Sequence, residues 1–256
     1  MPKMEILQIP VLSDNYVYLV HGNASGQTGV VDPAVAGPVL AALKDKGWTL
    51  THVLNTHHHG DHTGGNMELK AATGCTIVGP RADAARIPGI DVQVGDGDVF
   101  NLGGQKATIF DVPGHTRGHV AYWFQDAEAL FCGDTLFALG CGRLFEGSPA
   151  QMWNSLQKFL ALPDATRVYC AHEYTQQNAR FALTVEPDNR NLVARAAQID
   201  ALRRKGVPTV PSTIGEERAT NPFLRPDSED LQQILGLSGA QVVEVLAETR
   251  RRKDIF

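Results

Sequence analysis

The chain has 256 residues, 43% of them apolar, enough to bury a sizeable core as one large domain or as a domain with an appendage. With 23 Lys and Arg against 28 Asp and Glu the formal charge is −5, which removes the global basic field of a general nucleic-acid binder. No run approaches the roughly 18 apolar residues of a membrane span, the start Met1-Pro2-Lys3-Met4-Glu5 lacks the plan of an export signal, and the cysteines Cys75, Cys132, Cys141 and Cys170 show no CxxC spacing. The expectation is a cytoplasmic protein with core thiols and with neither a membrane nor a nucleic-acid partner.

Residues 4 to 32 alternate short apolar runs with turns, Ile6 to Val11, Tyr16 to Val20 and Gly29 to Asp32, which predicts an antiparallel strand series. Val39, Leu40 and Leu43 share a helical face that stops at Gly47, and His52-Val53-Leu54-Asn55 is the next strand. It delivers Thr56-His57-His58-His59-Gly60-Asp61-His62, four potential metal ligands within seven residues. His57 and His59, two apart, project to one side of an extended segment, while Asp61 and His62 begin a turn. Imidazole and carboxylate donors without nearby thiolates suit zinc, iron or manganese and argue against a closed structural zinc site. The plainer reading, a solvated His-rich loop, gives no reason for so many proton-repelling neighbours.

A helix with Met67, Leu69 and Ala71 follows Gly64-Gly65 and stops at Gly74, before the strand Thr76 to Val78. Residues 81 to 106, rich in Gly and Asp, predict loops and short hairpin strands. The strand Ala107 to Val112 ends in Pro113-Gly114-His115-Thr116-Arg117-Gly118-His119, and the pieces Val120 to Phe124 and Ala129 to Cys132 end in Gly133-Asp134-Thr135. Ser148-Pro149-Ala150-Gln151 is a capping-box helix start, with Met152, Trp153, Leu156, Phe159 and Leu160 as its apolar stripe. A last strand, Arg167 to Cys170, delivers Ala171-His172-Glu173-Tyr174. Beyond it the pattern turns helical. Leu192, Ala196, Ile199 and Leu202 repeat at helical spacing, and Ser238 with Gln241 caps a helix bearing Val242, Val243 and Leu246. Arg250 and Lys253 continue that inward face.

His57, His59, Asp61, His62, His115, Asp134 and His172 all fall at the ends of apolar runs. Their spacing resembles the metallo-β-lactamase superfamily, whose HxHxDH signature matches residues 57 to 62. Within it the chain most resembles the glyoxalase II (hydroxyacylglutathione hydrolase) family, through Asp14-Asn15-Tyr16, residues 131–137 and 140–147, Ala171-His172-Glu173-Tyr174-Thr175, and the tail strings 209–213, 221–225 and 250–254. The resemblance implies an α/β fold, a four-layer αββα sandwich over residues 1–173, with a helical glutathione-binding domain over 174–256. It implies two divalent metal ions, zinc first with iron or manganese as alternatives: one held by His57, His59 and His115, the other by Asp61, His62 and His172, with Asp134 bridging. The implied catalytic carboxylates are Asp61 and Asp134.

Glutathione contacts are implied at Arg143, Phe145, Tyr174, Arg250 and Lys253. Some members have lysine and tyrosine in place of Arg143 and Phe145, so a hydroxyl contact is absent at 145 here. The implied activity is hydrolysis of S-D-lactoylglutathione, or related 2-hydroxyacyl thioesters, to D-lactate and glutathione by a two-metal-activated hydroxide. That is the second step of methylglyoxal detoxification, carried out by a monomer whose partner is the small-molecule thioester. The rivals are a mono-iron glutathione-persulfide dioxygenase, which resembles this fold without the basic helical tail, a β-lactamase or nucleic-acid hydrolase, and a non-enzymatic module, which would have lost ligands. His119 reads as a structural histidine and Asp32 as a turn carboxylate ahead of any support to the ligands, and His21, His52 and His58 as surface or packing residues.

Overall fold

In the computed structural model, which describes residues 4–256, the antiparallel series is β1 (Met4–Val11), β2 (Asn15–Gly22) and β3 (Thr28–Val31). Met1 to Lys3, part of the stretch without an export-signal plan, lie outside the described residues. Helical crossovers through α1 (Ala36–Lys46), and through α2 (Gly60–Thr63) with α3 (Asn66–Thr73), return the chain in one direction. The next strands, β4 (Leu50–Leu54), β5 (Thr76–Pro80) and β6 (Val92–Val94), therefore join in parallel, in the order β1-β2-β3-β4-β5-β6. A second sheet in this part of the chain runs β10 (Ala129–Gly133), β9 (Val120–Phe124), β8 (Gln105–Asp111), β7 (Val99–Leu102).

Alternation along β2 explains the layering. Val17 and Leu19 point to one face, where they share a cluster with Val39 and Leu43 of α1, Leu69 of α3, and Val53 and Ile77. Tyr18, between them, faces the other way, its ring 5.5 Å from Phe131 on β10. The result is helix, sheet and sheet in succession. β4 lies between two parallel partners, so its carboxyl end, where the histidine stretch begins, opens at the middle of the sheet rather than at an edge. β8 starts at Gln105 rather than Ala107, because the left-handed Gly103-Gly104 turn lets Leu102 pair with Gln105. Met67 is exposed, and Leu69 carries the contact of this short helix.

The described chain forms two compact units: the chain up to Asp111 with Arg117–Gly133, and Val112–Thr116 with Asp134–Phe256. The second contains the hairpin β11 (Leu136–Phe137) and β12 (Gly140–Cys141), helix α4 (Pro149–Leu160), strand β13 (Arg167–Cys170) paired antiparallel with β14 (Ser212–Thr213), and five further helices. These are α5 (Thr175–Val185), α6 (Arg190–Arg204), α7 (Ile214–Thr220), α8 (Glu229–Leu235) and α9 (Val242–Asp254). Among the described residues no helix is long and apolar enough to cross a membrane.

The capping box of α4 forms as its sequence predicts, with Ser148 accepting from the Gln151 amide and Gln151 accepting in return. Replacing Ser148 with Ala is expected to cost about 1 kcal/mol, read as a lower urea midpoint with turnover unchanged, since only helix-end hydrogen bonding is lost. α6 buries Leu192, Ala196 and Ile199, whereas Leu202 is 37% exposed. α9 departs further: Gln241 with Glu244, not Ser238, caps it, and its buried face is Val245, Leu246, Thr249 and Arg250. That face is rotated from the expected Val242, Val243, Leu246 stripe: Thr249 donates within the helix to Val245, and Arg250 turns inward to the Cys141 carbonyl, so apolarity alone does not set the docking.

Candidate metal centre

In the first unit the histidine stretch hangs from three strand ends. Asp32 N–H donates to the Leu54 carbonyl, Asn55 N–H to Val78, and Val120 N–H to Thr56. Asp32, at the end of β3, has φ 48°, uncommon for a residue with a side chain, and its surroundings hold it there. Its buried carboxylate accepts the Thr56 amide and the Thr56 hydroxyl, both at 2.7 Å, and lies 3.0 Å from His62 Nδ1. The Thr56 proton goes to Asp32, so in the 3.0 Å pair between Thr56 Oγ1 and His57 Nδ1 the imidazole is the donor. His57 and His62 are thereby both protonated at Nδ1 and present a basic Nε2. This is the arrangement a metal-ligating histidine needs.

The four motif side chains converge. His57 Nε2 lies 3.1 Å from His59 Nδ1, and His62 Nε2 lies 3.4 Å from Asp61 Oδ2. Ligand atoms of Asp32, His57 and His62 fall within 4.8 Å of one another. Asn15, which opens β2, donates to Asp61 Oδ2 at 3.0 Å and to its carbonyl at 3.3 Å. His119 is buried and stacks on His57, centroids 4.5 Å apart and planes 17° apart. Gly133 is the glycine this packing requires: it has φ 49°, and a Cβ there would lie 2.3 Å from Thr56 Oγ1. His58 turns away to Asp83, 3.1 Å off, which Arg86 also grips. Asp32 and Asn15 therefore hold the candidate ligands His62 and Asp61, a role that sequence reading ranked second for Asp32 and did not assign to Asn15. Asp32 does follow an apolar run, as the ligands do, and was legible to that extent.

In the second unit Asp134 is buried and offers its two oxygens to different rings. Oδ2 lies 3.4 Å from His115 Nε2, and Oδ1 lies 3.4 Å from His172 Nε2. His115 Nδ1 donates to the Arg143 carbonyl at 2.9 Å, which again leaves Nε2 basic. A carboxylate with one oxygen toward each of two imidazoles has the form of a bridging ligand. Imidazole and carboxylate donors with fixed tautomers and no thiol suit a divalent metal, so the residues in both units fit one.

Tyr174 stacks on His172 at 4.7 Å with planes 2° apart, and Phe145, 63% exposed, meets His115 edge-on at 5.1 Å. Arg143, Arg250 and Lys253 form a basic group around Asp254, which lies 3.7 Å from Arg143 Nε and 2.9 Å from Arg250 Nη2. Burial, then the Arg250 and Arg143 charges, lower the Lys253 pKa to about 8. A lysine lowered by its burial and by two neighbouring guanidinium charges suits an anionic ligand. Within the group Arg250 is itself buried and donates to the Cys141 carbonyl at 2.8 Å, so much of its hydrogen bonding ties α9 to β12.

The metallo-beta-lactamase superfamily model matches residues 12–172, and the model of the hydroxyacylglutathione hydrolase C-terminus matches residues 173–256. A curated hydroxyacylglutathione hydrolase from Methylococcus capsulatus (strain Bath) is 66% identical over 253 residues, 99% of each chain. The chain belongs to the hydroxyacylglutathione hydrolase family. A second member, from Rhodospirillum rubrum, is 59% identical over 100% of both chains. Among solved structures, ETHE1 from Myxococcus xanthus aligns with TM-score 0.68 at 27% identity, over 97% of this chain and 99% of that one. The BLEG-1 B3 metallo-beta-lactamase shares the fold, with TM-score 0.66 at 23% identity over 86% of this chain and 100% of that one. The chain thus has the metallo-β-lactamase fold with the C-terminal helical part of its family. That C-terminal match leaves the persulfide-dioxygenase alternative the less supported reading.

Proposed function

We propose that the protein hydrolyses S-D-lactoylglutathione and related 2-hydroxyacyl thioesters of glutathione to the 2-hydroxy acid and glutathione, in the cytoplasm and as a monomer. The observation that carries the reading is the fixed tautomer of His57, His62 and His115, each donating from Nδ1 to the oxygen beside it, together with the two-sided presentation of Asp134. Family membership supplies the substrate class. On this reading His57, His59 and His115 hold one ion, Asp61, His62 and His172 the other, and Asp134 serves both, with zinc first and iron or manganese as alternatives. When bound, two such ions would lower the pKa of a water and polarise the thioester carbonyl.

The chain's own groups do the rest. Asp61, held by Asn15, orients the attacking water. The water oxygen forms the new C–O bond, the C–S bond breaks with its electron pair going to sulfur, glutathione leaves as thiolate, and the protons given up by the water pass to solvent. Arg143 and Lys253 bind the glutathione carboxylates far from that bond, so they act on ground state and transition state alike. Phe145 and Tyr174 flank the peptide.

The test compares purified enzyme on lactoylglutathione with the same acyl group on a truncated thiol. Lys253→Ala is the sharper probe than any change at Arg250, whose loss would also release β12. Its KM for the glutathione thioester is expected to rise several-fold with kcat nearly constant and with no change for the truncated thiol. Wild-type KM should also climb as pH rises through about 8, where Lys253 loses its charge, while the variant stays flat. Equal turnover of both thioesters by the wild type would overturn the substrate assignment.

A further inference from the structure

Between Asp134 and Arg143 the chain makes the β11–β12 hairpin, whose turn polar groups are met by side chains from the C-terminal helices. Glu217 of α7, fully buried, accepts the Leu139 amide at 2.8 Å and the Asn221 side-chain amide at 2.9 Å, while Arg195 of α6 donates to its other oxygen at 2.5 Å. Asn221 donates in turn to the Phe137 and Gly140 carbonyls at 3.2 and 3.1 Å. Leu139 sits at φ 60°, a left-handed conformation that a leucine keeps only when its surroundings fix it. A carboxylate at zero exposure is costly unless paired and hydrogen-bonded, and this one receives three donors.

The clamp reaches the site through backbone contact. Gly142, just past the hairpin, donates its N–H to Thr135 at 3.2 Å, and its Cα lies so near the Asp134 carbonyl that a Cβ there would come within 1.9 Å. Movement of the hairpin therefore moves the Asp134 backbone on one side and Arg143 on the other. We propose that Glu217, with Arg195 and Asn221, is a positioning group for the reaction: it sets the hairpin so that Asp134 and the glutathione-side residues Arg143 and Phe145 keep their places. This rests on the reading of Asp134, Arg143 and Phe145 given above.

Glu217→Gln removes the charge and leaves the largely buried Arg195 without its carboxylate, while Asn221→Asp keeps the shape, removes the donor to Phe137, Gly140 and Glu217 and sets a second carboxylate beside Glu217. Each variant is compared with the wild type and with Val39→Ala, a core truncation in α1 away from the hairpin. The readouts are kcat, KM for lactoylglutathione, and metal per chain, all normalised to the folded fraction. Both hairpin variants are expected to lose about tenfold or more in kcat, as displacement of groups far from the chemistry does, with a raised KM and less than the wild-type metal content. Val39→Ala should only melt earlier. Wild-type kcat, KM and metal content per folded molecule in Asn221→Asp, which carries the test alone if Glu217→Gln does not fold, would reduce the network to scaffolding and overturn the proposal. Wild-type enzyme inactive on lactoylglutathione would instead sink the functional reading.

Discussion

Asp134→Ala is expected to lose more than about 100-fold in kcat/KM, beyond what loss of a residue supporting a ligand costs, and to hold fewer metal ions per chain than a variant lacking His59. The reason lies in its two oxygens. His115 Nε2 and His172 Nε2 each face a different one at 3.4 Å, so a single truncation removes a donor beside both imidazoles and would leave the two proposed cations without a shared negative charge. Ion content by elemental analysis, beside kcat/KM, separates the possibilities. A variant that kept wild-type metal and near-normal turnover would show that Asp134 serves neither ion.

Prolonged chelation is expected to abolish hydrolysis, and zinc, manganese or iron to restore it to different extents, since imidazole and carboxylate donors accept all three. The fold is expected to persist through the treatment. The cluster of Val17, Leu19, Val39, Leu43, Val53, Leu69 and Ile77 buries its apolar surface without any ligand side chain. Far-ultraviolet dichroism before and after chelation is therefore expected to overlay while activity is lost. Full turnover by protein verified as metal-free would remove the metal from the chemistry.

Much of this was legible in the residues. Each proposed ligand stands where an apolar run stops, a pattern that local alternation reveals, and the capping box at Ser148 and Gln151 marked the start of α4 to the residue. Family strings from residue 14 to residue 254 marked the relationship and the substrate class, which the family matches bear out. The helices of the C-terminal part were foreseen as a group, but α5, α7 and α8 were not resolved singly, because short helices with few apolar positions give little periodic signal.

The sequence by itself determined the strand series, the positions of seven ligand-type side chains at strand ends, and the basic residues of the tail. These are local facts, written in spacings of two to four residues. Only the tertiary structure decided which groups hold those side chains in a working state. Asn15 reaches Asp61 across 46 positions, Asp32 reaches His62 across 30, Glu217 reaches Leu139 across 78, and Arg250 reaches Cys141 across 109. A hydrogen bond between residues so far apart leaves no periodic trace in the chain. It exists because burial removes water as the alternative partner, and each buried donor or acceptor must then be satisfied by whatever the fold brings alongside.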